Sequence, residues 1–266
     1  MASPGGADVW ASGDAYEPYV GRWSRAVGRE FLSWLDIPPA GRWLDVGCGT
    51  GALTQVVLER GAPARVTSID SSAGYVDYAR ARTADERVEF RIGDARSLPF
   101  DDAAFDVAVS GLVLNFVPDK EKALAEIGRT VRPGGAVAAY VWDYAGEMQL
   151  MRRFWDAATA LDPAALELDE GRRFPICRPE PLAELFGAAG LEDVAVRAIE
   201  VPTVFKDFDD YWDPFLGGQG PAPGYCMSLP EEARAALRQR IHAGLPFRSD
   251  GSIHLIARAW AVRGRR

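Results

Sequence analysis

Two hydrophobic periods alternate along the first half of the chain. Short runs of branched and aromatic residues predict buried strands at 43–46, 65–69, 88–92, 105–109 and 136–142. Between them, apolar residues return at helical spacing and predict helices at 26–35, 52–60, 73–83 and 120–131. Pro38-Pro39 ends the first of these helices, Gly61 closes the second, and Pro133-Gly134-Gly135 stops the last. Strands that alternate with helices in this way imply an α/β fold on a mostly parallel sheet. The pattern is less regular after residue 144. Helices are expected at 148–161, 179–189 and 230–243, and strands at 194–204, broken by Pro202, and 252–262. Between 206 and 250 lie loops rich in aromatic residues and glycine, among them Tyr211-Trp212-Asp213-Pro214-Phe215 and Gly217-Gly218-Gln219-Gly220. With no internal repeat, we read residues 1–266 as one domain. Residues 1–40 form a lid and leading helix, 41–144 the core, and 145–178 with 206–250 are insertions that cap the strand ends.

Composition narrows the class. Nearly half of the residues are hydrophobic and spread over the whole length, as in a globular protein. A formal net charge of −8 disfavours nucleic acid as a partner, because phosphate binding needs a basic surface. Arg152, Arg153, Arg172 and Arg173 could line one basic groove, but solvated helix ends are the simpler reading. The sequence has neither an apolar leader nor a run long enough to span a bilayer, so a cytoplasmic protein without membrane insertion is expected. Cys48, Cys177 and Cys226 lack CxxC pairing, which suits reduced thiols and no metal site. Lysine occurs only at Lys120, Lys122 and Lys206, a bias toward arginine that suits a GC-rich bacterial genome. Oligomeric state is not legible here.

The candidate chemistry begins at Gly47-Cys48-Gly49-Thr50-Gly51, which joins a buried strand to a helix. Glycines there allow a tight bend and let a ligand approach without meeting a Cβ. The amides opening the next helix suit a carboxylate or a phosphate equally. Gly47, Gly49 and Ala52 also satisfy the looser GxGxx(G/A) dinucleotide pattern, so a nicotinamide cofactor stays open at this point. Asp70 ends the second strand, where a carboxylate can take both hydroxyls of a ribose; capping the helix that starts near Ser72 is the plainer alternative.

Trp43-Leu44-Asp45-Val46-Gly47-Cys48-Gly49-Thr50-Gly51 closely resembles the leading motif of class I S-adenosylmethionine-dependent methyltransferases. Gly93-Asp94-Ala95, running into Leu98-Pro99-Phe100, resembles that family's adenine-recognition segment. Phe105-Asp106-Val107-Ala108-Val109-Ser110, then Val117-Pro118-Asp119 and Val131-Arg132-Pro133-Gly134-Gly135, are similar to its fourth-strand and fifth-strand motifs. The resemblance covers residues 16–144 and points to the small-molecule, UbiE-like type. It implies a Rossmann-like, doubly wound, seven-stranded and mostly parallel sheet with an antiparallel edge strand, capped by helical insertions. It implies S-adenosylmethionine as cofactor. Gly47, Cys48, Gly49 and Gly51 would form the loop around the methionine part, with Cys48 a packing residue, and Asp45 would hold the ammonium. Asp70 would take the ribose, Ser71 and Leu98 would border the adenine, and Asp94 and Ala95 would read it. The backbone of Ser110 and Gly111 would sit beside the sulfonium.

The stretch 16–25 is aromatic and basic and resembles a segment that folds over the cofactor in related enzymes. Tyr19 would cover the site and Arg25 would pair with the cofactor carboxylate; docking of this segment onto the sheet is the alternative. Displacement at a sulfonium needs no catalytic triad, and no catalytic residue is assigned. Asn115, Asp143, His242 and His254 are weak candidates for a base, His254 reading as a packed strand residue and His242 as a surface one. Tyr211, Trp212, Phe215 and Tyr225 either wall a substrate pocket or pack their insertion down. The expected partner is a small organic acceptor, with a catalytically silent cofactor-binding protein or an NAD-dependent oxidoreductase as alternatives. Against the oxidoreductase, no Tyr-x-x-x-Lys pair is present.

Overall fold

Arg-Trp-Leu-Asp-Val at Arg42–Val46 forms the strand β1, buried at every residue but the first, around which the rest of the sheet is ordered. The computed structural model describes residues 17–218 and 220–266; Tyr16 and Gln219, both singled out above, lie outside them. A π-helical turn at Glu17–Gly21 leads into α1 (Arg22–Leu35), which ends on Asp36 in the left-handed conformation, two residues before Pro38. After β1 come α2 (Ala52–Arg60), β2 (Arg65–Asp70), α3 (Ala73–Arg82), β3 (Val88–Ile92) and β4 (Phe105–Gly111). A 3-10 turn at Leu114–Phe116 precedes α4 (Lys120–Thr130) and β5 (Val131–Trp142).

The sheet order is β3-β2-β1-β4-β5-β7-β6, where β6 is Glu192–Phe205 and β7 is Ile253–Arg265. Strands β1 to β5 pair in parallel, and β7 runs antiparallel to both β5 and β6. The antiparallel pair thus makes one edge of the sheet, with β7 on its inner side. Because β1 leads outward to β2 while β4 lies on its other flank, right-handed crossovers place α2 and α4 on opposite faces. This is the doubly wound arrangement, and its strand order reverses between β1 and β4, where a crevice opens at the carboxyl ends.

One strand begins earlier than the sequence suggests, and one break expected from it is absent. Pro133-Gly134-Gly135 lies inside β5, whose pairing with β4 shifts register between Phe105 and Val107. A Cβ on Gly135 would come within 2.7 Å of the Asp106 carbonyl, so the glycine permits the close approach of the two strands. Pro202 does not break β6, because an edge strand tolerates a missing N–H on its open side.

The later elements are α5 (Gln149–Leu161), α6 (Glu170–Arg173), α7 (Pro179–Ala188), α8 (Phe208–Trp212), α9 (Pro221–Ser228) and α10 (Glu231–Gly244). The apolar face of α5 buries Met151, Phe154 and Trp155. Phe154 stacks on Phe215 with ring centroids 4.5 Å apart, and Tyr225 packs against both Phe154 and Trp155. Each such fully buried side chain stabilises the fold by about 1.5–3 kcal/mol. No helix among the described residues is long and apolar enough to cross a membrane.

Candidate functional site

The loop after β1 is built for close approach. Gly47, Gly49 and Gly51 have φ of +75°, +51° and +85°, a region L side chains rarely enter. A Cβ on Gly47 would lie 2.4 Å from Val113 Cγ1, so the loop after β4 presses directly on this glycine. The amides of Gly47 and Cys48 donate to the Ile69 carbonyl at 2.7 and 3.1 Å, which ties the loop to the end of β2. Gly51 is the N-cap of α2 and packs on Ala79 behind the loop.

Two carboxylates flank this turn. Asp45 is wholly buried in β1, and its Oδ2 accepts the Thr54 hydroxyl at 2.6 Å. Its Oδ1 has no hydrogen-bond partner among the described residues. Burial pushes the Asp45 carboxyl up to about 7, against the pull of Thr54 and with a further push from Asp70. Asp70 accepts the amides of Gly49 and Ser72, each at 2.9 Å. Burial raises its pKa, opposed by the amides of Ser72, Gly49 and Ser71. The cap of α3 is Ser72, whose hydroxyl accepts from the Tyr75 amide, so Asp70 is free of that duty.

A cleft opens here in two connected hollows that share Gly47, Asp70, Ser71, Val113 and Phe116. The larger, about 1010 Å³, has Cys48, Gly49 and Gly111 in its wall. Its far side is apolar and aromatic, formed by Leu112, Phe116, Tyr140, Trp142, Tyr144 and Met151. The smaller, about 660 Å³, is bordered by Gly93, Asp94, Ala95 and Arg96. The Arg96 guanidinium grips Asp94 at 2.6 Å and holds its carboxyl down to about 2. Thus Gly47, Cys48, Gly49, Asp70, Ser71, Asp94, Ala95 and Gly111 converge on one cleft, with Asp45 buried just beneath. Ser110 is buried in β4, and Leu98 is buried with its amide on Glu126.

Other expected residues lie elsewhere. Arg25 donates to Gln55 on α2 at 3.0 Å, and Tyr19 packs edge-on against Phe215; neither is in the cleft wall. Tyr211, Trp212, Phe215 and Tyr225 are buried among themselves, the Tyr211 hydroxyl on the Leu150 carbonyl, and form packing rather than a pocket wall. Asp143 takes the Glu147 amide at 3.0 Å, lies 3.5 Å from the Arg258 guanidinium, and is not in the cleft wall. His254 faces solvent instead of the core, because its neighbours Ile253 and Leu255 take the inward positions of β7. His242 is exposed and packs on Phe208 and Phe247. The four arginines do not line one groove: Arg152 pairs with Asp169 and Asp156, Arg172 pairs with Glu167, and Arg153 donates to the Gly244 carbonyl. All three cysteines are buried as free thiols, and burial pushes the Cys48 thiol well up, so none is set up as a nucleophile.

The aromatic side of the cleft was not among the expected site residues. Tyr140, Trp142 and Tyr144 alternate off the end of β5, and only the spacing by two in a strand running past the switch point could have marked them.

The comparisons agree with this geometry. A family described as "Methyltransferase domain" matches residues 44–139. The chain is 40% identical over 113 residues to the malonyl-[acyl-carrier protein] O-methyltransferase of Serratia marcescens, covering 42% of this chain and 43% of that protein. The match therefore spans less than half the length of that relative. Identity to the demethylmenaquinone methyltransferase of Roseiflexus castenholzii is 31% over 176 residues, 61% of this chain and 72% of that one. Among solved structures, phosphoethanolamine N-methyltransferase 2 of Haemonchus contortus, in complex with S-adenosylhomocysteine, superposes with a TM-score of 0.57 at 17% identity, over 90% of this chain and 52% of that one. The glycine loop, the paired carboxylates at the ends of β1 and β2, and these relatives together place the chain in the class I S-adenosylmethionine-dependent methyltransferases.

Proposed function

We propose that this protein transfers a methyl group from S-adenosylmethionine to a small organic acceptor held against the aromatic side of the cleft. The observation that carries the reading is the continuity of the larger hollow, which runs from the glycine loop and Asp70 to Phe116, Trp142 and Tyr144. A cofactor on the loop would present its reactive end to an apolar chamber. The negative net charge and the quinone-modifying and acyl-carrier-modifying relatives support a small acceptor over nucleic acid.

The residues fit the cofactor group by group. Asp45 Oδ1, buried and without a partner among the described residues, is an acceptor for an ammonium group, directly or through a water. Thr54 holds the other oxygen and so fixes the carboxylate plane. Gly47 and Gly49 bring backbone close to the methionine chain, with Cys48 and Gly51 completing the loop. Asp70 is held by two backbone amides and turns its remaining lone pairs to a ribose. Ser71 and Ala95 border the adenine, and Asp94 accepts from its amino group in exchange for part of the Arg96 grip. Backbone at Ser110 and Gly111 stands where the sulfonium would lie.

When bound, the cofactor supplies a methyl group on a positively charged sulfur that leaves as a neutral thioether. The chain's task is to align the acceptor behind that methyl and to exclude water, which would solvate the acceptor and hold it back from the methyl. Phe116, Trp142, Tyr144 and Met151 do this by lining the chamber with apolar surface.

Calorimetric titration with S-adenosylhomocysteine and, separately, NADH tests the proposal. Adenosylhomocysteine alone is expected to bind, and Asp70→Ala is expected to weaken it by about tenfold or more, the worth of one lost charged hydrogen bond. Binding of NADH alone would overturn the reading. Tight adenosylhomocysteine binding with no methylated product across a broad acceptor screen would favour a silent cofactor-binding protein.

A further inference from the structure

Three polar side chains meet behind the glycine loop, between the sheet and α2. Asp45 of β1 and Ser68 of β2 are register partners across the parallel pair, so both side chains point to the same face. Thr54 stands over them from the first turn of α2. Its hydroxyl lies 2.6 Å from Asp45 Oδ2 and 2.8 Å from Ser68 Oγ. All three residues are 0% exposed. Neither Thr54 nor Ser68 lines either hollow of the cleft. The Ser68 hydroxyl makes no other hydrogen bond among the described residues, so Thr54 is what it serves.

The order of protons along this chain follows from the donor and acceptor inventory. A hydroxyl carries one hydrogen, and a carboxylate can only accept. Thr54 therefore gives its hydrogen to Asp45, and Ser68 gives its own to Thr54. In the reversed order a protonated Oδ2 donates to Thr54 and Thr54 to Ser68, which leaves the Ser68 hydrogen with no acceptor among the described residues. The chain thus runs one way and favours the charged carboxylate, each hydrogen bond polarising the next. It also divides the two oxygens: Oδ2 is held from the protein side, and Oδ1, without a partner among the described residues, is left for a ligand. The surroundings push the other way. Burial and the charge of Asp70 at the end of β2 raise the Asp45 carboxyl, and the Asp45 charge in turn pushes up the Cys48 thiol in the loop. On the other flank β4 sets the apolar Val109 opposite Asp45.

We propose that Ser68 is a positioning residue for the cofactor: acting through Thr54, it holds Asp45 charged with Oδ1 free for the ammonium group, and it touches neither the cofactor nor the cleft. The inference rests on the reading of the cleft as the cofactor site of a methyl transfer. It gives β2 two tasks toward one ligand, with Asp70 meeting the ribose directly and Ser68 serving the methionine end at two removes.

The test is calorimetric titration of the full chain with S-adenosylhomocysteine from pH 5.5 to 8, a range over which the amino group of that ligand stays protonated. Wild-type affinity is expected to rise with pH and level off as Asp45 ionises. Ser68→Ala should bind about threefold more weakly at pH 6, the worth of one modest hydrogen bond, and come within about 1.5-fold of wild type at pH 8. A Ser68 that merely packs would weaken binding by the same factor at every pH. Thr54→Val removes the middle hydroxyl and keeps the side-chain shape, so it should move the profile further in the same direction. Adding Ser68→Ala to it should change nothing more, because the link is already cut. If Thr54→Val does not fold, the profile of Ser68→Ala alone decides. A wild-type affinity independent of pH, a Ser68→Ala profile parallel to or superimposed on that of wild type, or additive losses in the double variant would each overturn the proposal. Failure of the wild-type chain to bind adenosylhomocysteine at any pH would instead overturn the reading beneath it.

Discussion

Asp45 joins two equilibria through one proton. Its unfolded pKa is near 3.9, and burial in β1 raises the folded value to about 7. The folded chain therefore binds more protons than the unfolded chain between these values, so stability must fall as pH rises through that window. The contribution is fully present below about pH 4, is lost as pH passes 7, and amounts to roughly 4 kcal/mol for a shift of this size. Urea unfolding at pH 5 and pH 8 should show the free protein losing stability at the higher pH, and Asp45→Asn should flatten that difference. Cofactor binding works in the opposite sense, because an ammonium beside Oδ1 favours the ionised carboxylate. Adenosylhomocysteine binding near pH 6 should therefore release a proton, seen as a dependence of the calorimetric heat on buffer ionisation enthalpy. A heat independent of buffer would mean that Asp45 does not meet the ammonium. The residues of this half of the site were legible because acidic side chains at strand ends and glycines in a turn are chemically unusual there. Tyr144 and Met151 were not, since an aromatic and a methionine fit any core.

Among the elements, the two loops at the switch point form one unit. The turn after β1 bends through three left-handed glycines, and the turn after β4 carries Leu112 at φ +63°, an uncommon conformation for a bulky residue. Leu112 is held by its amide on the Tyr140 carbonyl at 2.7 Å, and Val113 beside it closes on Gly47. Gly47→Ala is expected to destabilise the fold by about 2 kcal/mol or more, from overpacking against Val113 and from a positive φ. Chemical unfolding measures the first effect, and adenosylhomocysteine titration should show loss of binding, because the methyl group also moves the β4 loop. Unchanged stability would mean that the two loops are not in register as described. The strands and long helices of residues 42–142 were readable from period and punctuation alone. The short helices α6, α8 and α9 were not, because pieces of eight residues or fewer complete too few turns to show a period and are held by contacts distant in sequence. Proline misled for the same reason in β6: whether it breaks a strand depends on which neighbour lies alongside.

At the scale of the whole molecule, alternation of strands and helices was enough to foresee a parallel sheet, but it could not show how the N-terminal segment meets the region after β6. That junction rests on Arg22. Its guanidinium bonds both oxygens of Asp210, at 2.8 and 3.2 Å, and the Val204 carbonyl at 3.3 Å, while lying over the rings of Trp23 and Phe205. Arg22 holds the Asp210 carboxyl below its usual range, and Tyr19 packs on Phe215 beside the pair. The charges are about a quarter exposed, so the ion pair is worth only about 1 kcal/mol, yet it ties the start of α1 to α8 and the end of β6. Arg22→Met should therefore leave global stability nearly intact and speed amide exchange in residues 17–24 and 206–217 together. Strand β1, at the centre of the sheet, should not change. Faster exchange confined to one of the two segments would mean that they open independently. Equal acceleration reaching β1 would mean that the junction belongs to the cooperative core and cannot open without unfolding the sheet that carries the cofactor loop.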